Sequence, residues 1–201
     1  MISRESDRFV KAVEMISNEK YQTILDIGCR DKVLKKYLKE DIIYQGIDYK
    51  NDDEVLAHNL ENGIPFSDNS FDVVFALDVL EHVENIHFLF SEILRVSKTE
   101  AIIALPNMSY WKFRLRYLKG KDISDKYVLP AKKTLDRHRW LTSYKSSKSL
   151  IQNLSGNSKI EEKKYFYQYK SKVLKWIDYK MSKKFPNLFV YTIFFKIKKN
   201  D

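Results

Sequence analysis

The sequence predicts an α/β domain built on a doubly wound, mostly parallel sheet, and three observations predict it. Short apolar runs of strand length alternate with segments whose apolar residues fall at helical spacing. The clearest run, Phe71-Asp72-Val73-Val74-Phe75-Ala76-Leu77, is apolar on both faces, as a central parallel strand requires. Aspartates stand at or beside the ends of three runs, Asp26, Asp48 and Asp78, where open α/β sheets bind ligands outside the carboxyl ends of their strands.

The first run, Tyr21–Ile27, stops at Gly28, which lets the backbone turn and lets a ligand come close. Beyond Asp31 the apolar residues Val33, Leu34, Tyr37 and Leu38 predict a crossover helix over Asp31–Leu38, with its unpaired N–H groups toward the turn. A carboxylate such as Asp26 is costly at the end of a buried strand unless it meets a donor or a cation. A leading helix within Ser3–Ser17 carries Phe9, Val10, Val13 and Ile16 on one face, and packing is its expected role. Ile42–Asp48 is the second strand and Val55–His58 a weak third, followed by a loop punctuated by Gly63, Pro65 and Asn69. Phe71–Leu77 is the fourth strand. Ile86, Leu89, Phe90, Ile93 and Leu94 mark the next helix, and Ala101–Leu105 is a fifth strand stopped by Pro106.

From Asn107 the pattern changes. Aromatic and basic residues interleave from Tyr110 to Lys119 and predict a basic helix. Lys121–Arg139 is a loop long enough to point to function or mobility. A helix over Ser146–Leu154 and strands at Lys159–Tyr169 and Val190–Ile197 complete seven strands. Between the last two lies an insertion, about 170–188, in which Val173, Leu174, Ile177 and Met181 form an apolar stripe ringed by lysines. Such a helix packs its stripe on the domain or lies on an anionic membrane, and packing is the favoured expectation.

The 201 residues are enough for one domain with a substantial core. Residues 1–106 hold 12 Lys and Arg against 20 Asp and Glu, whereas residues 107–201 hold 24 against 7. A basic second half fits an anionic partner as well as it fits a solvated lysine-rich surface. Cys29 is the single cysteine, which rules out an intramolecular disulfide and fits a reducing cytoplasm. No 18-residue apolar run and no signal peptide is visible, so a cytoplasmic protein is expected, with peripheral membrane contact in reserve.

Four motifs in order then carry a resemblance. Ile24-Leu25-Asp26-Ile27-Gly28-Cys29 resembles the first motif of class I S-adenosylmethionine-dependent methyltransferases, and Gly46-Ile47-Asp48 their second acidic position. Asn59 to Phe66, with Asp68 to Val74, is similar to their adenine-side segment, and Ala76-Leu77-Asp78-Val79-Leu80-Glu81-His82-Val83 to their fourth motif. The resemblance is strong over about 21–106 and thin beyond. It implies a Rossmann-like seven-stranded sheet with helices on both faces, an antiparallel last strand and S-adenosylmethionine as cofactor. It divides the single domain into a cofactor-binding half, 1–106, and an acceptor half, 107–201. The chain departs from the family in its glycine turn, where Gly28-Cys29-Arg30-Asp31-Lys32 replaces two glycines by Arg30 and Lys32.

By the resemblance, Asp26 anchors the amino-acid end of the cofactor, Gly28 admits it to the backbone, and Cys29 and Arg30 border it. Asp48 accepts from the ribose hydroxyls beside Tyr49, Asn59 and Leu60 meet the adenine, and Leu77 and Asp78 close the floor. Asn107, Tyr110 and Trp111 fall where the family lines its acceptor pocket. Arg137, His138 and Arg139, beside Asp136 and Trp140, would suit an anionic acceptor, and the alternative for them is a surface loop over a buried Trp140. His138, Tyr110 and His82 are the candidates for catalytic proton transfer. For His82 a structural role is preferred.

No zinc-ligand spacing, P-loop or Gly-x-Gly-x-x-Gly fingerprint occurs, so no metal is assigned. The expected function is methyl transfer to a small or lipid-linked, anionic acceptor. The alternatives are a nucleic-acid methyltransferase, disfavoured because Leu105-Pro106-Asn107-Met108 lacks the base-amine signature, and a non-catalytic binding or scaffold protein that kept the fold.

Overall fold

The computed structural model describes residues 6–16, 20–129, 131–132 and 136–199. The start of the leading helix at Ser3–Glu5 and its end at Ser17, like part of the 121–139 loop, lie outside them. Seven strands form one sheet in the order β3-β2-β1-β4-β5-β7-β6. They are β1 (Thr23–Ile27), β2 (Ile43–Asp48), β3 (Val55–Ala57), β4 (Phe71–Leu77), β5 (Ser97–Pro106), β6 (Lys159–Tyr165) and β7 (Thr192–Lys198). Neighbours are parallel from β3 through β5, and β7 runs antiparallel to both β5 and β6. The order reverses at β1, whose two neighbours are β2 and β4, so the crevice for a ligand opens at the carboxyl ends of these three strands.

Val73, Val74, Phe75 and Ala76 of β4 are fully buried, with alternate residues entering cores on opposite faces. On one face, Ala12 and Met15, from the helix α1 (Ser6–Val13) and the turn after it, pack with Leu34, Phe75 and Ile102. On the other, α2 (Ile86–Val96) and α4 (Tyr144–Leu154) bury Leu89, Phe90, Ile93 and Ile151 against Val74, Ala76 and Ile103. Each such side chain contributes about 1.5–3 kcal/mol relative to exposure. Both compositional halves share this sheet, because β7 sits between β5 and β6.

Two expectations are corrected. The first crossover is not a helix over 31–38 but a single 3₁₀ turn, Leu34–Tyr37. Arg30 and Lys32 adopt φ of 47° and 53°, left-handed conformations that break any helix start there. No array of helix N–H groups therefore faces the turn.

The insertion also differs. It forms α5 (Lys172–Met181) and α6 (Pro186–Phe189), but α5 does not pack its apolar stripe. Val173 and Trp176 are 65% and 60% exposed, while Asp178 is 1% exposed. Asp178 explains the inversion. Its carboxylate accepts from the Tyr110 hydroxyl at 2.5 Å and the Trp111 indole at 3.1 Å, at the start of α3 (Trp111–Leu118). A buried carboxylate with two donors fixes the roll of α5 and turns the stripe outward.

Candidate active site at the carboxyl edge of the sheet

The turn after β1 is stitched to β2. The amides of Gly28 and Cys29 donate to the Ile47 carbonyl at 2.8 and 3.3 Å, and the Arg30 amide donates to the Asp48 carboxylate at 2.9 Å. Gly28 has φ of 70°, and a Cβ there would meet Val79 Cγ2 at 2.8 Å, so this position requires glycine. At 30 and 32 the backbone keeps a left-handed, glycine-like shape although the residues carry side chains. Those side chains leave the turn. Arg30 pairs with Asp136 at 3.0 Å, and Lys32 pairs with Asp52 at 3.0 Å and donates to the Asp53 carbonyl at 2.9 Å.

The carboxylates divide in their roles. Asp48 stands at the mouth, taking one backbone N–H on each oxygen, from Arg30 and from Tyr49 at 2.7 Å, with lone pairs left over. Tyr49 beside it is half exposed, Leu60 is buried, and the Asn59 side chain caps a turn by accepting from the Glu61 amide at 3.1 Å. Asp26 is 4% exposed and accepts from the Tyr44 hydroxyl at 2.8 Å. Burial raises its pKa to about 7, with the Tyr44 hydrogen bond opposing and the Asp48 charge reinforcing the rise. Burial likewise raises the Cys29 thiol to about 12, which makes it a packing group under Gly46 rather than a nucleophile.

At the end of β4, Leu77 is buried and Asp78 has φ of 56°. Asp78 Oδ2 accepts from Arg8 of α1 at 2.5 Å, whereas its Oδ1 is buried with no hydrogen-bond partner among the described residues. Sequence reasoning missed Arg8. Only the fold brings a residue of the leading helix onto this carboxylate.

The loop at 136–140 folds onto the segment after β4. The Arg139 amide donates to the Glu81 carbonyl at 2.8 Å, and its guanidinium meets the His82 carbonyl at 3.1 Å and Glu84 at 2.7 Å. The Trp140 indole donates to the Val83 carbonyl at 2.8 Å, yet Trp140 is 46% exposed rather than buried. Arg137 is exposed and forms no ion pair with any described residue, so of the two arginines it is the one open to an anion. His82 and His138 meet edge to face with ring centroids 4.6 Å apart. Burial lowers both imidazoles, His138 to about 4, with His82 adding to the effect. Glu81, fully buried and pushed well above the usual carboxylate range by burial and by Asp78, lies against them and was also missed.

The other acceptor candidates are committed elsewhere. Asn107 is fully buried, donating to the Asn187 and Val190 carbonyls and accepting from the Ser109 and Tyr144 amides. Tyr110 is fully buried on Asp178 and Tyr169, with Trp111 on the same carboxylate. The structure thus brings His82, Arg137, His138 and Arg139 together near Asp78, and gives Asn107, Tyr110 and Trp111 partners within the protein.

This sheet order, with its antiparallel β7 and its carboxylates at the switch point, defines the class I S-adenosylmethionine-dependent methyltransferase fold. Similar solved structures include an S-adenosylmethionine-dependent methyltransferase from Archaeoglobus fulgidus, 18% identical, with a TM-score of 0.62 over 98% of this chain and 95% of that one. A possible histamine N-methyltransferase from Thermotoga maritima is 14% identical with a TM-score of 0.62, covering 99% and 90%. Magnesium protoporphyrin IX methyltransferase from Synechocystis, determined with bound S-adenosylhomocysteine, is 12% identical with a TM-score of 0.60, covering 98% and 83%. The family model of the methionine biosynthesis protein MetW matches residues 7–197, and the chain belongs to that family. A bifunctional methionine biosynthesis protein MetXA/MetW from Rhodopirellula baltica is 39% identical over 66 residues, 32% of this chain and only 10% of that protein.

The residues present fit the cofactor of this fold. Asp48 keeps free lone pairs at the mouth, Asp78 Oδ1 is a buried acceptor without a partner among the described residues, and the Arg30 and Lys32 side chains leave the turn open.

Proposed function

We propose that the chain is a methyltransferase that binds S-adenosylmethionine at the β1–β2–β4 edge and acts on a small or lipid-linked, anionic acceptor. The observation that carries this reading is the turn at 28–32, which keeps its left-handed backbone despite Arg30 and Lys32 and holds the Asp48 carboxylate through the Arg30 amide. When bound, the cofactor supplies a methyl group activated by a sulfonium. Asp48 would accept from the ribose hydroxyls, and Gly28 would let the backbone approach the cofactor. Arg8 of α1 neutralises Asp78 and draws the helix over the strand ends, which excludes water. The His138 loop closes the acceptor side, and Arg137 offers the acceptor a cation.

Thermal unfolding tests this reading. Saturation near 100 times the dissociation constant of S-adenosylhomocysteine stabilises the fold by about 2.7 kcal/mol. The absence of any shift at millimolar ligand contradicts it.

The exposed faces of α3 and α5 support a lipid-linked acceptor. Tyr117, Leu118, Val173 and Trp176 are at least 60% exposed, among lysines. Sedimentation with anionic vesicles, reduced in Trp176→Ser and weakened by salt, is the expected result. Salt-sensitive binding to RNA without vesicle binding would instead favour a nucleic-acid acceptor.

A second reading, a binding subunit without catalysis, draws on the fused MetXA/MetW relative, where a segment of this type shares a chain with another methionine biosynthesis unit. Association with such a unit, together with failure to bind S-adenosylhomocysteine, would establish it.

A further inference from the structure

Glu81, His82 and His138 converge beneath the 136–140 loop, and one ligating atom from each lies within 4.8 Å of the others. Their hydrogen bonds determine where the protons sit. His82 Nδ1 lies 2.9 Å from the Arg137 carbonyl, which can only accept, so a neutral His82 carries its proton on Nδ1 and keeps a lone pair on Nε2. His138 Nδ1 lies 3.1 Å from the Tyr127 hydroxyl, and that hydroxyl already donates to the Trp140 carbonyl at 2.6 Å. Tyr127 therefore accepts from His138 Nδ1, and His138 Nε2 also keeps a lone pair. This nitrogen stands 3.8 Å from Glu81 Oε1.

Glu81 is fully buried, and neither carboxylate oxygen has a hydrogen-bond partner among the described residues. The two imidazoles, each with a lone pair on Nε2, are thus gathered with the two Glu81 oxygens, and neither oxygen meets a hydrogen-bond partner among the described residues, an arrangement costly to bury. A cation resolves it. An outer oxygen that fixes each imidazole tautomer is also what metal-binding histidines use, and here the Arg137 carbonyl and the Tyr127 hydroxyl supply it.

We propose that Glu81, His82 and His138 form a binding site for one divalent first-row transition metal. Two imidazoles with one carboxylate suit Zn²⁺ or Mn²⁺ better than the all-oxygen shells of Ca²⁺. The set leaves room in the coordination sphere for an oxygen ligand. His138 enters from the loop, so the metal ties residues 136–140 to the segment after β4. The assignment does not require methyl transfer and is tested without it.

The full chain, treated with chelator and dialysed, is titrated with ZnCl₂ and separately with MnCl₂ by calorimetry. One equivalent binds in a saturable step, and thermal stability rises. His138→Ala weakens binding at least tenfold, and so does Glu81→Gln. His87→Ala and Cys29→Ser, which remove unrelated donors, leave it unchanged. Circular dichroism confirms that each variant is folded, and if Glu81→Gln does not fold, His138→Ala on the loop decides alone. No saturable binding of either ion, or binding unchanged in His138→Ala, overturns the proposal.

Discussion

The backbone amide of Arg30 donates to the carboxylate of Asp48 at 2.9 Å, tying a left-handed turn that carries side chains to the acid at the end of β2. The bond requires Arg30 to hold φ of 47°. An L-residue there costs about 1–2 kcal/mol. Arg30→Gly removes that strain along with an exposed ion pair worth about 0–1 kcal/mol, so its stability should stay within about 1 kcal/mol of wild type. Arg30→Val loses the same pair and keeps a β-branched residue at positive φ, and should fall below Arg30→Gly by about 1 kcal/mol or more. Urea denaturation of the two variants makes the comparison, and equal stabilities would remove the argument.

Gly46 faces the thiol of Cys29. A Cβ at 46 would lie 2.6 Å from Cys29 Sγ and 3.2 Å from Val55 Cγ2. Gly46→Ala should destabilise the protein by about 1–3 kcal/mol. Adding Cys29→Ala should recover part of that loss, because the nearest clash is with the sulfur. A double-mutant cycle in urea measures the coupling, and strictly additive losses would contradict the packing assignment.

Asp26 gives a pH dependence of definite sign. Burial lifts its pKa from 3.8 to about 7 in the folded protein. The folded state then holds more protons than the unfolded state between these values, so this group's stabilising contribution is complete below about pH 4 and is lost as pH rises through 7. The difference in unfolding free energy between wild type and Asp26→Asn should change by a few kcal/mol, on the order implied by about 1.4 kcal/mol per pKa unit, across that window. A difference independent of pH would show that Asp26 ionises freely.

Asp178 holds α5 to α3 from a buried position. Asp178→Ala strands the Tyr110 hydroxyl and the Trp111 indole and should cost about 2–3 kcal/mol. Trp176→Ser, on the exposed side of the same helix, should stay within about 0.5 kcal/mol. Equal effects would mean that α5 packs the other way round.

Much of the fold was legible because it rests on local periodicity. The run from Phe71 to Leu77 reads as a buried strand, and each of the seven strands falls within a few residues of its expected place. The first crossover was misread because Val33, Leu34, Tyr37 and Leu38 mimic helical spacing, while the two positive φ angles that forbid a helix are a property of the turn. α5 was misread because an apolar stripe normally decides which face is buried, and here one carboxylate outweighs it. In the candidate site, Asp48 and Gly28 were legible from their positions at strand ends. Arg8 and the meeting of His82 with His138 were not, because they depend on contacts across 70 and 56 positions. Asp26 was legible as an unusual residue, but not that Tyr44 would cover it.

The central claim is that the edge formed by Gly28, Asp48 and Asp78 binds a nucleoside-bearing sulfonium cofactor. Calorimetric titration of S-adenosylhomocysteine into wild type and Asp48→Ala tests it most directly. One-site binding by wild type, weakened at least tenfold in Asp48→Ala, a loss of about 1.4 kcal/mol, is the predicted result. No binding by the wild-type chain, or equal affinity in the two proteins, would contradict it.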